Sequence, residues 1–281
     1  MKKIFPVILI LLSVSIQAQQ ENDSLYALTT SSNTVGAGFA RILDPYLSPF
    51  EYSGLQIRLQ NKAQKFFNPA NNKLSYTHKG FIDGGWAHHP SRNNSMMFFN
   101  TNYSFGVNYH IRPANNLMLH LGGSWDLGVG GKYLSRNVNN PFSLDLHTGL
   151  NATAGLQHLF SLWRQDFRIR YGAQTPLLGC MFVPLQGITY YEMFMLNNWQ
   201  PAFHFSSLHN RQAWTHFLDF DIPLNFSTIR INIQHDYLRY KANNIVFKKS
   251  GLNFAVGTVV DLYVFSGKKR KIPTRFISSY E

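Results

Sequence analysis

Residues 117–133 read LMLHLGGSWDLGVGGKY, a stretch whose pattern indicates the fold class of the whole chain. Over seventeen residues, large apolar side chains fall on one side of a two-residue period, and mostly polar or small residues fall on the other. That period is typical of a β-strand with one apolar and one polar face. Soluble strands average roughly 5–6 residues, whereas a tilted strand that crosses a bilayer needs about 9–11. The stretch therefore predicts one strand of a transmembrane β-barrel.

Similar alternation recurs along the chain and predicts an all-β fold, an antiparallel transmembrane β-barrel of about ten strands. An even number of strands places both chain ends on one side. The short connections, which would face the periplasm, are residues 113–116, 161–165 and 225–227. The longer connections, which would face outward, are residues 90–94, 135–141 and 180–211. A large soluble β-sandwich is the alternative, but it does not explain why so many strands are long.

The N-terminus indicates export. Lys2 and Lys3 precede an apolar run that ends near Ile16, and Ala18 precedes a polar stretch, which is the layout of a secretory signal peptide. We expect a signal peptide at residues 1–18, a short N-terminal segment at 19–33, the barrel at 34–265 and a basic periplasmic tail at 266–281. The expected location is the outer membrane of a Gram-negative bacterium.

The composition favours a large lipid-facing surface. Only 14% of the residues are charged and 15% are aromatic, whereas soluble domains carry about 25% charged residues. The mean hydropathy of −0.18 does not argue against a barrel, because alternating strands average to neutral. Cys180 is the single cysteine, so no intramolecular disulfide can form, and a closed hydrogen-bonded barrel would have to hold the exported chain together.

The net charge is +12, and part of the excess is a local cluster in the C-terminal tail. We expect this cluster to contact anionic lipid or solvent, and we expect no nucleic-acid binding, because no recognition module accompanies it. The expected partners are outer-membrane lipid, the barrel-assembly machinery during biogenesis, and a surface or periplasmic partner that the sequence does not identify. The basic residues of the cluster are Lys268, Lys269, Arg270, Lys271 and Arg275.

Charged residues of both signs fall on the inward side of the alternation. A barrel of about ten strands encloses a narrow lumen, so these residues predict a network of ion pairs that plugs it. A polar pathway for a small solute, in a channel or transporter, is the alternative. The predicted network comprises Asp126, Lys132, Asp145, His147, Arg168, Arg170, Asp219, Asp221, Arg230 and Asp236.

One set of residues suggests catalysis. Ser207 and His209 are two residues apart, a spacing that outer-membrane phospholipases and lipid A deacylases use for nucleophile and base, and Asp219 lies twelve residues after the serine. Lipid hydrolysis is therefore a lesser alternative, and the sequence does not establish an enzyme. No cofactor and no metal are expected, because the adjacent His88 and His89 would point to opposite faces of a strand.

Two segments carry a resemblance to a known family. Residues 175–194 and 207–224 resemble a family of uncharacterised outer-membrane β-barrel proteins of the Bacteroidota, a domain of unknown function. The resemblance implies a location and no reaction. It rests on an expected turn at residues 176–179, on a cluster at Tyr190, Tyr191 and Glu192, and on the triplet His209, Asn210 and Arg211. From the residues themselves, opposite charges on Glu192 and Arg211 predict that the triplet anchors the long connection.

Overall fold

The computed structural model describes residues 25–162, 165–224, 227–263 and 275–279. The predicted signal peptide and the basic residues 268–271 lie outside these ranges. Within the described ranges, no helix is both long and apolar enough to cross a membrane.

Ten long strands of 13–21 residues form one wall. They are β2 (Thr29–Leu43), β3 (Glu51–Phe66), β4 (Leu74–His88), β5 (Ser95–Ala114), β6 (Leu117–Tyr133), β7 (Phe142–Leu162), β8 (Gln165–Phe182), β10 (Arg211–Pro223), β11 (Thr228–Ala242) and β12 (Ile245–Leu262). The remaining elements are the short strands β1 (Leu25–Ala27), β9 (Phe203–Ser207) and β13 (Arg275–Ile277), the helix α1 (Tyr190–Met195) and a 3₁₀ turn at Gln200–Ala202.

The wall closes on itself. Each long strand pairs antiparallel with its neighbours, β12 pairs with β2, and β8 pairs with β10. The predicted ten-stranded antiparallel barrel is therefore confirmed. Closure satisfies the backbone groups that an open sheet edge would leave unpaired.

The connections fall at two ends, which we call the loop end and the terminal end. The loop end carries residues 44–50, 89–94, 134–141, 183–210 and 243–244. The terminal end carries the first and last described residues, the connections at 67–73 and 115–116, and the strand ends at Leu162, Gln165, Pro223 and Thr228. The C-terminal residues return to the terminal end, where β13 pairs in parallel with β1 and the Ser279 hydroxyl donates to the Gln64 carbonyl at 2.7 Å.

The alternation read from residues 117–133 holds in β6. Trp125 points outward between Phe105 of β5 and Leu150 of β7, and all three side chains are exposed on the outer face. Asp126 and Lys132 point inward and are buried. The outer face is thus apolar along the wall, and the inner face carries the polar residues.

The β8–β10 seam is the shortest junction in the wall. Only seven residue pairs join these strands, because β9 takes over the pairing with β8 toward the loop end. The turn expected at residues 176–179 is wrong, since β8 continues through it with a bulge opposite Leu150 and Asn151. A bulge accommodates Pro176, which has no N–H to give to a ladder.

Candidate functional site

The inward face at the loop end is apolar. Buried side chains from the strand ends meet buried side chains from the connections and fill the mouth of the barrel. We call this cluster the apolar plug. Its members are Ala40, Ile42, Tyr46, Leu47, Tyr52, Ala87, Met96, Phe98, Leu134, Met181, Val183, Tyr240, Ile245 and Phe247.

Hydrogen bonds tie the long connection to the plug. The Tyr46 hydroxyl donates to the Ile188 carbonyl at 3.0 Å, and the Tyr190 hydroxyl accepts from the Leu144 N–H at 2.7 Å. Burial, with the nearby Asp44 and Glu192 carboxylates, raises the pKa of Tyr46 to about 12. Burial also raises the pKa of Tyr190 above its usual range. Both phenols therefore remain neutral hydrogen-bonding groups at physiological pH.

A first ion cluster lies beneath the plug. The Lys132 ammonium contacts the Asp145 carboxylate at 2.6 Å and the Asp44 carboxylate at 3.1 Å. The same ammonium lies 4.3 Å from the centre of the Phe247 ring. Lys132 therefore links the charged lumen to the apolar plug.

A second cluster centres on Arg58. Its guanidinium contacts the Asp83 and Asp236 carboxylates at 2.6 Å each, and Lys249 lies 3.5 Å from Asp83. Thr215 donates to Asp236 at 2.9 Å. Strands β3, β4, β11 and β12 are thereby joined across the lumen.

A third cluster lies toward the terminal end. Arg230 donates to both oxygens of Asp221 at 2.7 Å, a bidentate geometry that is strong for an arginine and a carboxylate. Arg170 contacts Asp219 at 2.9 Å, and Asn232 donates to Asp219 at 2.6 Å. Paired in this way, the buried charges are tolerated inside the barrel.

The structure places all ten residues of the predicted lumen network on the inward side. Eight are distributed over the three clusters, including Arg168 at 3.6 Å from Asp221, and the remaining two, His147 and Asp126, form a separate pair at 3.5 Å. Sequence reasoning missed several inward charged residues. The missed residues are Asp44, Arg58, Lys62, Lys79, Asp83 and Lys249. The same alternation around Ile57 and Leu59 could have found Arg58.

Within the described part of the barrel, two chambers lie between the clusters. The large chamber, of about 140 Å³, is lined by Arg58, Asp126, His147, Arg211, Asp236 and Lys249, among others. The small chamber, of about 60 Å³, lies nearer the terminal end and is lined by Lys62, Lys79, Ser104, His120, Ser124 and Phe217, among others. Lys79, Ser104 and Gln174 line both chambers.

The catalytic candidates are only partly brought together. The Ser207 hydroxyl and the Nδ1 atom of His209 are 2.6 Å apart on the exposed side of the loop end. Asp219 points into the lumen, where Arg170 and Asn232 bind it. In the described structure no hydrogen bond joins Asp219 to His209, so the third member of the predicted set does not orient the histidine.

The predicted loop anchor is also divided. Glu192 is exposed and caps α1, because its carboxylate accepts from the Thr189 N–H at 2.8 Å, a bond that lowers the pKa of Glu192. Arg211 is buried and lines the large chamber. No ion pair joins these two residues in the part of the chain that the structure describes. Asn210 does bridge strands, donating to the Phe205 carbonyl at 2.8 Å.

A metal site would need several ligands close together. Across the described ranges, no group of three or more histidine, cysteine, aspartate or glutamate side chains is arranged to hold a metal ion. The lumen aspartates Asp83, Asp219 and Asp221 instead contact arginine side chains.

Comparison with known proteins identifies a family. A family model described as "Protein of unknown function (DUF3316)" matches residues 4–269. The chain belongs to this family. The expected resemblance to a domain of unknown function is confirmed to that extent. No curated protein matches the chain.

Several solved structures have a similar shape. The outer membrane protease OmpT from Escherichia coli has 6% sequence identity and a TM-score of 0.47. The match covers 88% of this chain and 100% of the OmpT chain. The transport unit of the autotransporter AIDA-I from Escherichia coli has 8% identity and a TM-score of 0.44, and the match covers 90% of this chain and 96% of that chain. The attachment invasion locus protein Ail of Yersinia pestis has 12% identity and a TM-score of 0.30, and the match covers 82% of this chain and 98% of that chain.

Proposed function

We propose that the protein is a non-conducting outer-membrane barrel with a structural or surface-binding role. The observation that carries this proposal is the apolar plug, which fills the loop end with buried side chains from both the wall and the connections. Hydrated ions cross an apolar constriction poorly because it excludes water. The ion clusters beneath the plug further fill the lumen.

The outer face supports a membrane location. The strands are long enough to cross a bilayer at a tilt, and their outward side chains are largely apolar. The predicted signal peptide supports export to the outer membrane of a Gram-negative bacterium, with the Bacteroidota as the expected source. Insertion would then involve the barrel-assembly machinery, with the loop end facing outward.

The surface-binding role is assigned to the long connection at the loop end. Its residues Ile188 and Met193 pack against Leu144, Leu146 and Phe182 at the barrel rim. Apolar side chains remain exposed on it, and the outward residues of β9 continue the outer face of β8. The ligand proposed for this patch is lipid of the outer leaflet, because the patch is continuous with the apolar wall. The patch comprises Tyr191, Phe194, Met195, Leu196, Trp199, Phe203 and Phe205.

Single-channel conductance of the refolded mature chain in a planar bilayer tests the closed lumen. We expect no discrete openings from a barrel whose insertion is verified by its folded mobility on a gel. Stable openings would overturn the proposal and would favour a small-solute channel, the second candidate. The two chambers lined by polar side chains support that candidate, because they form part of a path through the lumen.

Lipid hydrolysis is the third candidate, and the 2.6 Å contact between Ser207 and His209 supports it. A refolded protein that releases fatty acid from phospholipid vesicles, and loses this activity in Ser207→Ala, would establish it. The exposed Ser95, at another connection of the same end, provides the control variant Ser95→Ala.

A further inference from the structure

The small chamber holds two lysines with unusual surroundings. Lys62 of β3 and Lys79 of β4 both line it, and their ammonium groups lie 4.7 Å and 5.8 Å from the centre of the Phe217 ring. Phe217 of β10 points inward into this chamber, whereas the next residue, Leu218, is exposed on the outer face. The two ammonium groups therefore converge on the same enclosed space beside one aromatic ring.

These two lysines differ from the other inward cations of the described ranges in their distance from carboxylates. Arg58, Lys132, Arg170, Arg230 and Lys249 each lie within 4.0 Å of a carboxylate. Among the described residues, no carboxylate lies within that distance of Lys62 or Lys79. An ammonium inside a barrel without an ion-pair partner is costly, so the chamber favours an anion.

Neutral donors face the same space. Ser124 is 7% exposed, lines the small chamber, and its hydroxyl has no hydrogen-bond partner in the described part of the chain. Ser104, also 7% exposed, lines the chamber from the neighbouring strand. An unsatisfied buried hydroxyl beside two cations is the environment that an oxygen of an anion would complete.

We propose that the small chamber is a binding site for a small oxyanion of the size of inorganic phosphate. The ammonium groups of Lys62 and Lys79 supply the charge, and the hydroxyl of Ser124 donates to one oxygen. The volume of about 60 Å³ holds about four to six water-sized atoms, which suits a small oxyanion and excludes a larger ligand. This site does not depend on the closed loop end, so conductance and anion binding test separate proposals.

The experiment is a ³¹P NMR titration of inorganic phosphate into the full mature chain, refolded in micelles with phosphate present and then dialysed, with chloride keeping the ionic strength constant. We expect saturable binding of one phosphate per barrel. Lys62→Met and Lys79→Met keep the side-chain length and remove the charge, and each should weaken binding about tenfold, the loss expected for one charge-assisted hydrogen bond.

Lys248→Met provides the matched control, because Lys248 is exposed on β12 outside the lumen, and it should bind phosphate as the wild type does. No saturable binding by the wild type, or unchanged affinity in both lumen variants, would overturn the site. Where a lysine variant does not fold, Ser124→Ala takes its place, and wild-type affinity in that variant would likewise overturn it.

Discussion

Different interactions close the two halves of the lumen. At the loop end, apolar side chains such as Met96, Phe98 and Phe247 pack against one another. Below them, paired charges such as Arg230 and Asp221 fill the space. A substitution in an apolar cluster lowers the free energy of unfolding in proportion to the atoms that it removes. Removing one partner of a buried ion pair costs more, because the other charge is left uncompensated.

Both halves come from the same strands. Along the inward side of β5, Met96 and Phe98 give way to Asn100, Asn102 and Ser104. Along β12, Phe247 gives way to Lys249. The two-residue period thus sets which side chains point inward, and position along the strand sets whether they are apolar or charged.

Breaking the charged half should have the largest effect. Arg230→Met removes the bidentate partner of Asp221 and one partner of Asp219, and we expect it to lower the free energy of unfolding by about 3–5 kcal/mol. The measurement is urea unfolding of the barrel in lipid vesicles. Arg41 is exposed at the loop end, and Arg41→Met should leave the free energy of unfolding within about 0.5 kcal/mol of wild type. Equal losses in the two variants would contradict the ion-pair account.

Two adjacent methionines test the apolar half. Met96 is fully buried in the plug, and Met97 is 50% exposed on the outer face. Met96→Ala should lower the free energy of unfolding by about 2–5 kcal/mol, because it creates a cavity, and Met97→Ala should change it by about 0.5 kcal/mol or less. Equal free energies of unfolding for Met96→Ala and Met97→Ala would show that the plug is loosely packed. That result would contradict the view that apolar packing closes the loop end of the lumen.

The fold could be predicted because its signal is local. Each strand carries its own alternation, as the outward Leu121 and Leu127 and the inward Asp126 show in β6. Closure then follows from the need to pair every edge. The expected turn at residues 176–179 failed because Pro176 is as compatible with a bulged strand as with a turn.

The site was only partly predictable, because it depends on distant contacts. The apolar plug could not be predicted from the sequence. The inward Met96 and the outward Met97 are both apolar, so the alternation does not distinguish the two faces there. The predicted contact between Ser207 and His209 is present because the two residues are close in sequence. Asp219 lies eight residues into β10, roughly 26 Å from the start of that strand, so spacing of twelve residues could not bring it to them.

The smallest expected effect concerns Tyr46, which joins the long connection to the plug. Tyr46→Phe removes its hydrogen bond to the Ile188 carbonyl and should cost about 0.5–1.5 kcal/mol at neutral pH. Because the pKa of Tyr46 is raised to about 12 in the folded protein and an unfolded tyrosine ionises near ~10, its contribution to stability is complete below the unfolded value and is lost as the pH rises toward the folded value. The free energy of unfolding across this alkaline range should therefore fall less in Tyr46→Phe than in wild type. Tyr191→Phe, at a tyrosine that is 71% exposed, is the matched control for the loss of a hydroxyl and should cost about 0.5 kcal/mol or less at neutral pH. A pH dependence in Tyr46→Phe equal to that of wild type would show that the plug does not hold the Tyr46 phenol neutral.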